Sequence, residues 1–347
     1  MTKTLLVGLF GPGALENSYL RAFSEVGTEP HTFDIGAAER RYCRLGLLGR
    51  HFNRFVPVEP WIRKANRELF LKVRELEPEI LVVFGQSRVR VGTLAQLKAA
   101  MPVRTVLIWQ DALPFMDVQT ATALPLFDLV ATYARSSVEV LTRLGAKRVE
   151  WVPLAADPCQ HGPAGAGDDP LPAPDADVSF IGQWRPEREL AITTLLAARP
   201  DLRVRIWGPD WGRRCAGNSR VVAAWQRRPL FGAEFAQAIR RSRLSLNVID
   251  DTNYPAANMR FFEIPCAGGV QVSSPCPEMA DVFKDGETVF YYSTPAELPK
   301  VVARVLDDPA VAELVRSNGH RTVLAEHTYA RRAASILTSL AQDSRWT

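Results

Sequence analysis

Short apolar runs alternate with longer amphipathic stretches along the whole chain. In the first half, the runs that predict strands are Thr4–Phe10, His31–Ile35, Ile80–Phe84, Thr105–Trp109, Leu129–Thr132 and Val149–Val152. Most are nearly continuous in Val, Ile, Leu or Phe. Between them, apolar residues recur at helical spacing over Leu15–Val26, Ile62–Glu75, Leu94–Ala100 and Ser136–Leu144. Apolar strands alternating with helices predict a parallel sheet covered on both faces. The stretch Tyr42–Pro60 follows neither period and reads as an insertion.

The second half repeats the pattern. Its predicted strands are Val178–Ile181, Val204–Trp207, Leu244–Val248, Val270–Val272 and Thr288–Tyr291. Its predicted helices are Glu187–Ala197, Ala233–Arg241, Asn258–Cys266, Pro295–Leu306, Ala310–Ser317 and a closing one over Tyr329–Gln342. Between the halves, Asp157–Ala176 reads DPCQHGPAGAGDDPLPAPDA, which has linker composition and no apolar period. The expected organisation is a first α/β domain over 1–156, a linker over 157–176, a second α/β domain over 177–325 and a terminal helix over 326–347. In doubly wound sheets ligands bind beyond the carboxyl ends of the strands, so the loops that follow strands are the place to look for chemistry.

Composition narrows the classes. A chain of 347 residues with 47% hydrophobic and 23% charged residues is long enough for two cores and is not a mostly disordered polymer. A formal charge of +4 is too mild to indicate a nucleic-acid partner. No apolar run approaches the ~18 residues of a membrane span. The opening Met-Thr-Lys-Thr leads directly into a strand, so no leader is expected. The five cysteines are widely spaced and form no CxxC pair, which fits reduced thiols in a cytoplasm. The five histidines make no HxxxH pair, and no metal site is expected.

Four loops carry candidate chemistry. After the first strand comes Gly11-Pro12-Gly13, and Asp34 ends the second strand, as a ribose-binding acid would in a dinucleotide fold. Glu16, however, stands where that motif needs its third glycine, so a turn lining a ligand cleft is the better reading. Gly182-Gln183-Trp184-Arg185-Pro186-Glu187-Arg188 offers a glycine, arginines and a helix start, which suits phosphate. Trp207-Gly208-Pro209-Asp210-Trp211-Gly212 offers aromatic surface and flexible backbone. Both could also be ordinary solvent-exposed loops. The richest stretch is YPAANMRFFEIPCAGG, residues 254–269. Here Asn258 suits an N-cap, Arg260 and Glu263 share one helix face, and Pro265 should shorten the helix. Arg260 could hold a diphosphate while Glu263 accepts two ribose hydroxyls, or the two could be a plain surface ion pair. Asp250-Asp251 reads as a solvated turn.

The segments VSFIGQWRPER (178–188), WGPDW (207–211), PLFG (229–232), NMRFFEIPCAGG (258–269), PEMADVFKDGET (277–288) and EHTYARR (326–332), in this order and spacing, resemble the glycosyltransferase group 1 family, in particular its spore-maturation type (CgeB-like) branch. The first half is a looser match, through Trp109-Gln110-Asp111. The resemblance implies a GT-B architecture: two Rossmann-like domains facing across a cleft, the second holding a nucleoside-diphosphate sugar. It implies that Glu263 binds the donor ribose, and that Asn258, Met259 and Arg260 lie at the diphosphate and sugar. Gly182 and Arg185 would approach the phosphates, with Trp207 and Gly208 in the adjoining loop and Leu230, Phe231 and Gly232 beside the base. It also implies that the closing helix crosses back to the first domain. Many relatives carry a glutamate seven residues before Glu263, where this chain has Ala256.

The expected activity is thus metal- and cofactor-independent transfer of a sugar from the nucleotide donor to a carbohydrate or protein-linked hydroxyl. Arg260 would stabilise the leaving diphosphate and Asp111 would act as base or sugar contact, while Gly11, Pro12 and Gly13 would form the acceptor-side loop. Two alternatives stay open: a non-catalytic nucleotide- or sugar-binding or assembly protein of the same fold, and an NAD-dependent oxidoreductase using the first loop.

Overall fold

The computed structural model describes residues 1–43, 58–162 and 172–342. Most of the expected insertion and the middle of the expected linker lie outside these residues. The chain forms two compact units, Met1–Pro153 with Ala330–Thr347, and Leu154–Tyr329.

The first unit is built on six parallel strands: β1 Lys3–Gly8, β2 Glu29–Asp34, β3 Ile80–Phe84, β4 Arg104–Trp109, β5 Leu129–Thr132 and β6 Val149–Trp151. Their spatial order is β2-β1-β3-β4-β5-β6. Leu5, Val7, Leu81, Val83, Leu107 and Val130 point to one face and pack against Leu69, Val73, Leu94 and Leu97 from the covering helices. Strand order reverses between β1 and β3, which makes the loops after these strands the switch point of this sheet. The closing helix, Tyr329–Ala341, buries Ala333, Ile336 and Leu340. From residue 330 it belongs to this first unit, where Arg332 Nε donates to the Pro153 carbonyl at 2.8 Å and Arg148 Nη1 to the Ser339 carbonyl at 2.6 Å.

The second unit is built on β7 Ala176–Ile181, β8 Val204–Trp207, β9 Ser242–Asn247, β10 Gln271–Ser273 and β11 Phe290–Tyr291, all parallel, in the order β11-β10-β9-β7-β8. Val178, Phe180, Leu244, Leu246 and Val272 fill the core on one face. The other face carries a polar row. Ser179 and Ser245 share a 2.7 Å hydrogen bond, and Asn247 Nδ2 donates to Ser273 Oγ at 3.3 Å. Asn258 Nδ2 then donates to Asn247 Oδ1 at 3.0 Å, which ties the strands to the loop that follows β9.

The α-helices that patterning did not predict are one or two turns long: Ile35–Arg41, Val118–Ala123, Pro158–His161, Trp211–Arg214 and Ser219–Ala224. Segments that short complete no amphipathic repeat. Pro158–His161 also corrects the start of the expected linker. Asp157 caps it through the Cys159 N–H at 3.0 Å, and it packs on the helices Gly232–Arg240 and Arg260–Cys266.

Candidate functional site

In the second unit the strand order reverses between β7 and β9, so the loops after these strands converge. The loop after β7 delivers Arg185 and, one turn into the helix Pro186–Ala198, Arg188. Arg188 Nη1 donates to the Gln183 carbonyl at 2.9 Å and Nη2 to Asp250 Oδ2 at 2.8 Å. Asp250 is only 3% exposed, and its other oxygen accepts from Asn253 Nδ2 at 2.8 Å. The solvated turn expected at Asp250-Asp251 is thus corrected for Asp250. It is a buried ion-pair partner that joins the two loops, a role set by a residue 62 positions away.

The loop after β9 leads to the helix Arg260–Cys266. Asn258 Oδ1 accepts the Phe261 N–H at 3.0 Å and so caps this helix. Pro265 limits it to seven residues and Gly268, at φ +77°, ends it. Phe261, Phe262 and Ile264 are buried, which turns Arg260 and Glu263 to the remaining face. Arg260 Nη1 pairs with Glu263 Oε2, Nε donates to the Ile181 carbonyl at 3.0 Å, and the guanidinium lies 4.7 Å from the Phe235 ring centre. Burial and the nearby Arg188 charge pull the Arg260 guanidinium down to about 10, still fully charged at neutral pH. Burial also lowers Arg188, against the opposing pull of Asp250, and Arg185 adds to the lowering. Arg188 and Arg260, each lowered by burial and by a neighbouring guanidinium, are stabilised by an incoming anion.

Glu263 is 1% exposed, far deeper than a plain surface ion pair. Its Oε1 lies 3.3 Å from His161 Nε2. His161 Nδ1 accepts the Asp157 N–H at 3.2 Å, so in the neutral ring Nε2 bears the proton and faces the carboxylate. Both carboxylate oxygens therefore face a donor within the unit. His161 and Asp250 are the residues that sequence reasoning missed as site members, whereas Arg188 was read among the loop arginines that suit phosphate. The spacing of Arg188 from Arg185 was a usable signal, whereas His161 is brought in by tertiary packing alone.

The remaining donor-side residues separate. Met259 starts the helix, and its carbonyl accepts the Phe262 and Glu263 N–H groups. Gly182 donates its N–H to the Trp207 carbonyl at 2.9 Å and accepts Trp211 Nε1 at 2.9 Å, so its backbone groups serve packing. A Cβ on Gly208, at φ +134°, would strike the Gly182 carbonyl. The aromatic surface expected at Trp207 and Trp211 is instead core: both rings are buried, Trp211 completely. Leu230 is also core, with Ile181, Trp207 and Phe235, whereas Phe231 is 52% exposed. Ala256 is fully buried and offers no polar group to a sugar. Trp207 and Leu230 border a concavity of about 170 Å³ whose arginines are matched, Arg205 and Arg241 by Asp175 and Arg228 by Glu234. Among the described residues no group of three His, Cys, Asp or Glu could hold a metal ion.

In the first unit, Gly11, Pro12 and Gly13 form an exposed turn, held by Ala14 N–H to the Gly11 carbonyl at 3.1 Å and by Asn17 Nδ2 to the same oxygen at 2.8 Å. Behind it the Glu16 side chain folds over Gly8 and accepts the Leu9 N–H at 3.0 Å. Asp34 caps the next helix through the Ala37 N–H at 2.7 Å. The Glu16 carboxylate thus lies against the Gly8–Leu9 backbone where a dinucleotide fold keeps a glycine for close helix–strand packing, and Asp34 is already used as a cap. Asp111, after β4, accepts from Gln86 Nε2 at 3.4 Å, and burial raises its carboxyl above the ordinary value.

Residues 185–338 match a family model described as glycosyl transferase-like. No curated protein matches the chain. The fold is similar to that of sucrose-phosphate synthase from Thermosynechococcus elongatus, with a TM-score of 0.70 at 12% identity over 100% of both chains. It is also similar to a glycosyltransferase of Rickettsia africae, with a TM-score of 0.69 at 9% identity over 99% of each chain. The Anabaena protein HepE, solved with UDP, has a TM-score of 0.65 at 13% identity over 98% of this chain and 100% of that one. Residues 185–338 are thus a glycosyl transferase-like domain, and the chain has the fold of the GT-B glycosyltransferases.

Proposed function

We propose that the second unit binds a nucleoside-diphosphate sugar and that the protein moves its sugar to an acceptor hydroxyl without a metal ion or cofactor. The observation that carries the reading is the meeting of Arg185, Arg188 and Arg260 with buried Glu263 at the switch point of a parallel sheet, inside the matched domain. In the reaction the acceptor oxygen bonds to the anomeric carbon as the bond from that carbon to the diphosphate breaks. The diphosphate leaves with the electron pair, and the arginines hold its charge. The acceptor proton goes to a carboxylate, for which Asp111 is the candidate; its raised value brings it closer to the pH at which a base works. Glu263, oriented by His161 and Arg260, would exchange contacts with these donors for contacts with the ribose hydroxyls. The seven-residue helix after Asn258 contributes little dipole, so the arginines carry the charge of the leaving group.

UDP is the first probe, because HepE was solved with UDP and with UDP-glucose. The spore-maturation type placement, carried by the motifs over 178–332, and a cytoplasmic site of action, in keeping with free thiols at all five cysteines, belong to the same proposal. Calorimetry with UDP, GDP and TDP, followed by turnover on the corresponding sugars with and without EDTA, tests the reading. Nucleotide binding with no turnover on any donor would make the protein a non-catalytic binder. Turnover lost to EDTA and restored by manganese would overturn metal independence.

A further inference from the structure

The loop after β3 in the first unit, Gly85–Arg90, is held in place by far more than a connection needs. Gln86 and Arg88 both adopt left-handed backbone, at φ +69° and +48°. Non-glycine residues reach that region only at a cost, and one that the surroundings must hold them to. Here the surroundings do so at nearly every position. Gly85 N–H donates to Gln110 Oε1 at 3.1 Å, and Ser87 Oγ donates to the Val7 carbonyl at 3.2 Å. Asn66, 2% exposed, donates to the Arg88 carbonyl at 3.1 Å and accepts the Arg90 N–H at 2.8 Å. Arg88 turns to Glu39 and Arg90 to Glu59. The outcome is that Gln86 projects to Asp111 at the carboxyl ends of β3 and β4, next to the switch point of the sheet.

We propose that Gln86 is a positioning residue that holds Asp111 for a hydroxyl of a sugar-bearing acceptor, and that the strain in Gly85–Arg90 is kept for this purpose. This deepens the glycosyltransferase reading and rests on it. A carboxylate beside a primary amide places hydrogen-bond acceptors and donors side by side, the pattern that adjacent sugar hydroxyls match. Phe115, four residues after Asp111 and 49% exposed, offers an aromatic face for the C–H side of a pyranose. The charged groups of the neighbouring loops are turned elsewhere. Arg135, after β5, stacks over Trp151 at 4.0 Å, and Asp34 pairs with Arg40 at 3.6 Å. Gln86 lowers the Asp111 carboxyl against the upward push of burial.

The test uses the full chain and millimolar methyl hexopyranosides as probes, read by saturation-transfer NMR, with UDP titrated separately into each variant. The wild type should show transfer to at least one hexoside. Asp111→Asn and Gln86→Gly should each lose it at least tenfold, with UDP affinity unchanged within twofold. Gln86→Gly should also melt higher than the wild type, since glycine relieves the left-handed strain. In that variant the Asp111 carboxyl carbon should titrate at higher pH, a signature that a merely structural glutamine would not produce. Absence of hexoside transfer in the wild type, or its persistence in both variants, overturns the proposal. Hexoside transfer without any nucleotide binding would overturn the donor reading and leave this sugar site standing.

Discussion

Glu263 and Asp111 are both half of a pair, and they respond oppositely to removal of charge. Glu263→Ala strands the Arg260 guanidinium and the His161 ring around a buried gap, so it should cost about 3–5 kcal/mol of stability as well as UDP affinity. Glu263→Gln keeps the shape and should lose most of the affinity at a smaller stability cost. Calorimetry and thermal melts on the two variants separate the roles, and unchanged UDP binding in both would make Glu263 structural. For Asp111, a carboxyl raised by burial favours the folded state when protonated. That contribution is complete below the unfolded value near pH ~3.9 and is lost as pH rises through the raised folded value. Asp111→Asn should therefore raise the melting temperature by roughly 1–3 °C at pH 7 and lose this gain in acid. Melts across pH check the sign, and a variant less stable than wild type at pH 7 would contradict it.

At the scale of elements, two contacts hold the architecture, the first of them in a turn where sequence reading saw flexible backbone. The turn after β8 approaches the loop after β7 so closely that Gly208, at φ +134°, leaves no room for a Cβ against Gly182. Gly208→Ala should cost more than about 3 kcal/mol, and the Trp211 environment should report it through fluorescence. The closing helix is the other contact. Ending the chain before Ala330 removes buried Ala333, Ile336 and Leu340 together with the Arg332 and Arg148 hydrogen bonds. At ~1.5–3 kcal/mol for each large buried side chain, the truncated first unit should lose most of its margin and bind hydrophobic dyes. A truncated protein with unchanged melting would show the helix to be dispensable.

For the whole molecule the test is linkage. A ligand at a hundred times its Kd adds about 2.7 kcal/mol to the state that binds it. On the proposed reading, in which arginines and not a metal meet the phosphates, saturating UDP should thus raise the melting midpoint by several degrees, with or without EDTA. Arg260→Lys should cut the shift, since a lysine cannot serve the Ile181 carbonyl, Glu263 and a phosphate together. NAD(H) should leave the midpoint where it is, because Glu16 occupies the space over Gly8. A shift with NAD(H) and none with UDP would reverse the functional reading.

The strands, their parallel order in two sheets and the placing of chemistry in the loops after β7 and β9 follow from apolar runs and helical periods, which are local properties of the chain. So does the shared face of Arg260 and Glu263, because a spacing of three fixes it on any helix. Tertiary structure alone decided the rest. Whether Trp207 and Trp211 are surface or core depends on which loop closes over them, and Gly182 and Gly208 meet only after both strands are paired. Asp250 became a buried partner because Arg188 reached it across the switch point. His161 came to Glu263 from a stretch whose composition reads as linker, and Gln86 took a strained conformation because Asn66 and Gln110, far away in sequence, hold its loop. Periodicity records which face of an element is apolar. It holds no record of which distant side chain completes a charge or enforces a backbone angle, and in both units the candidate chemistry depends on those pairings.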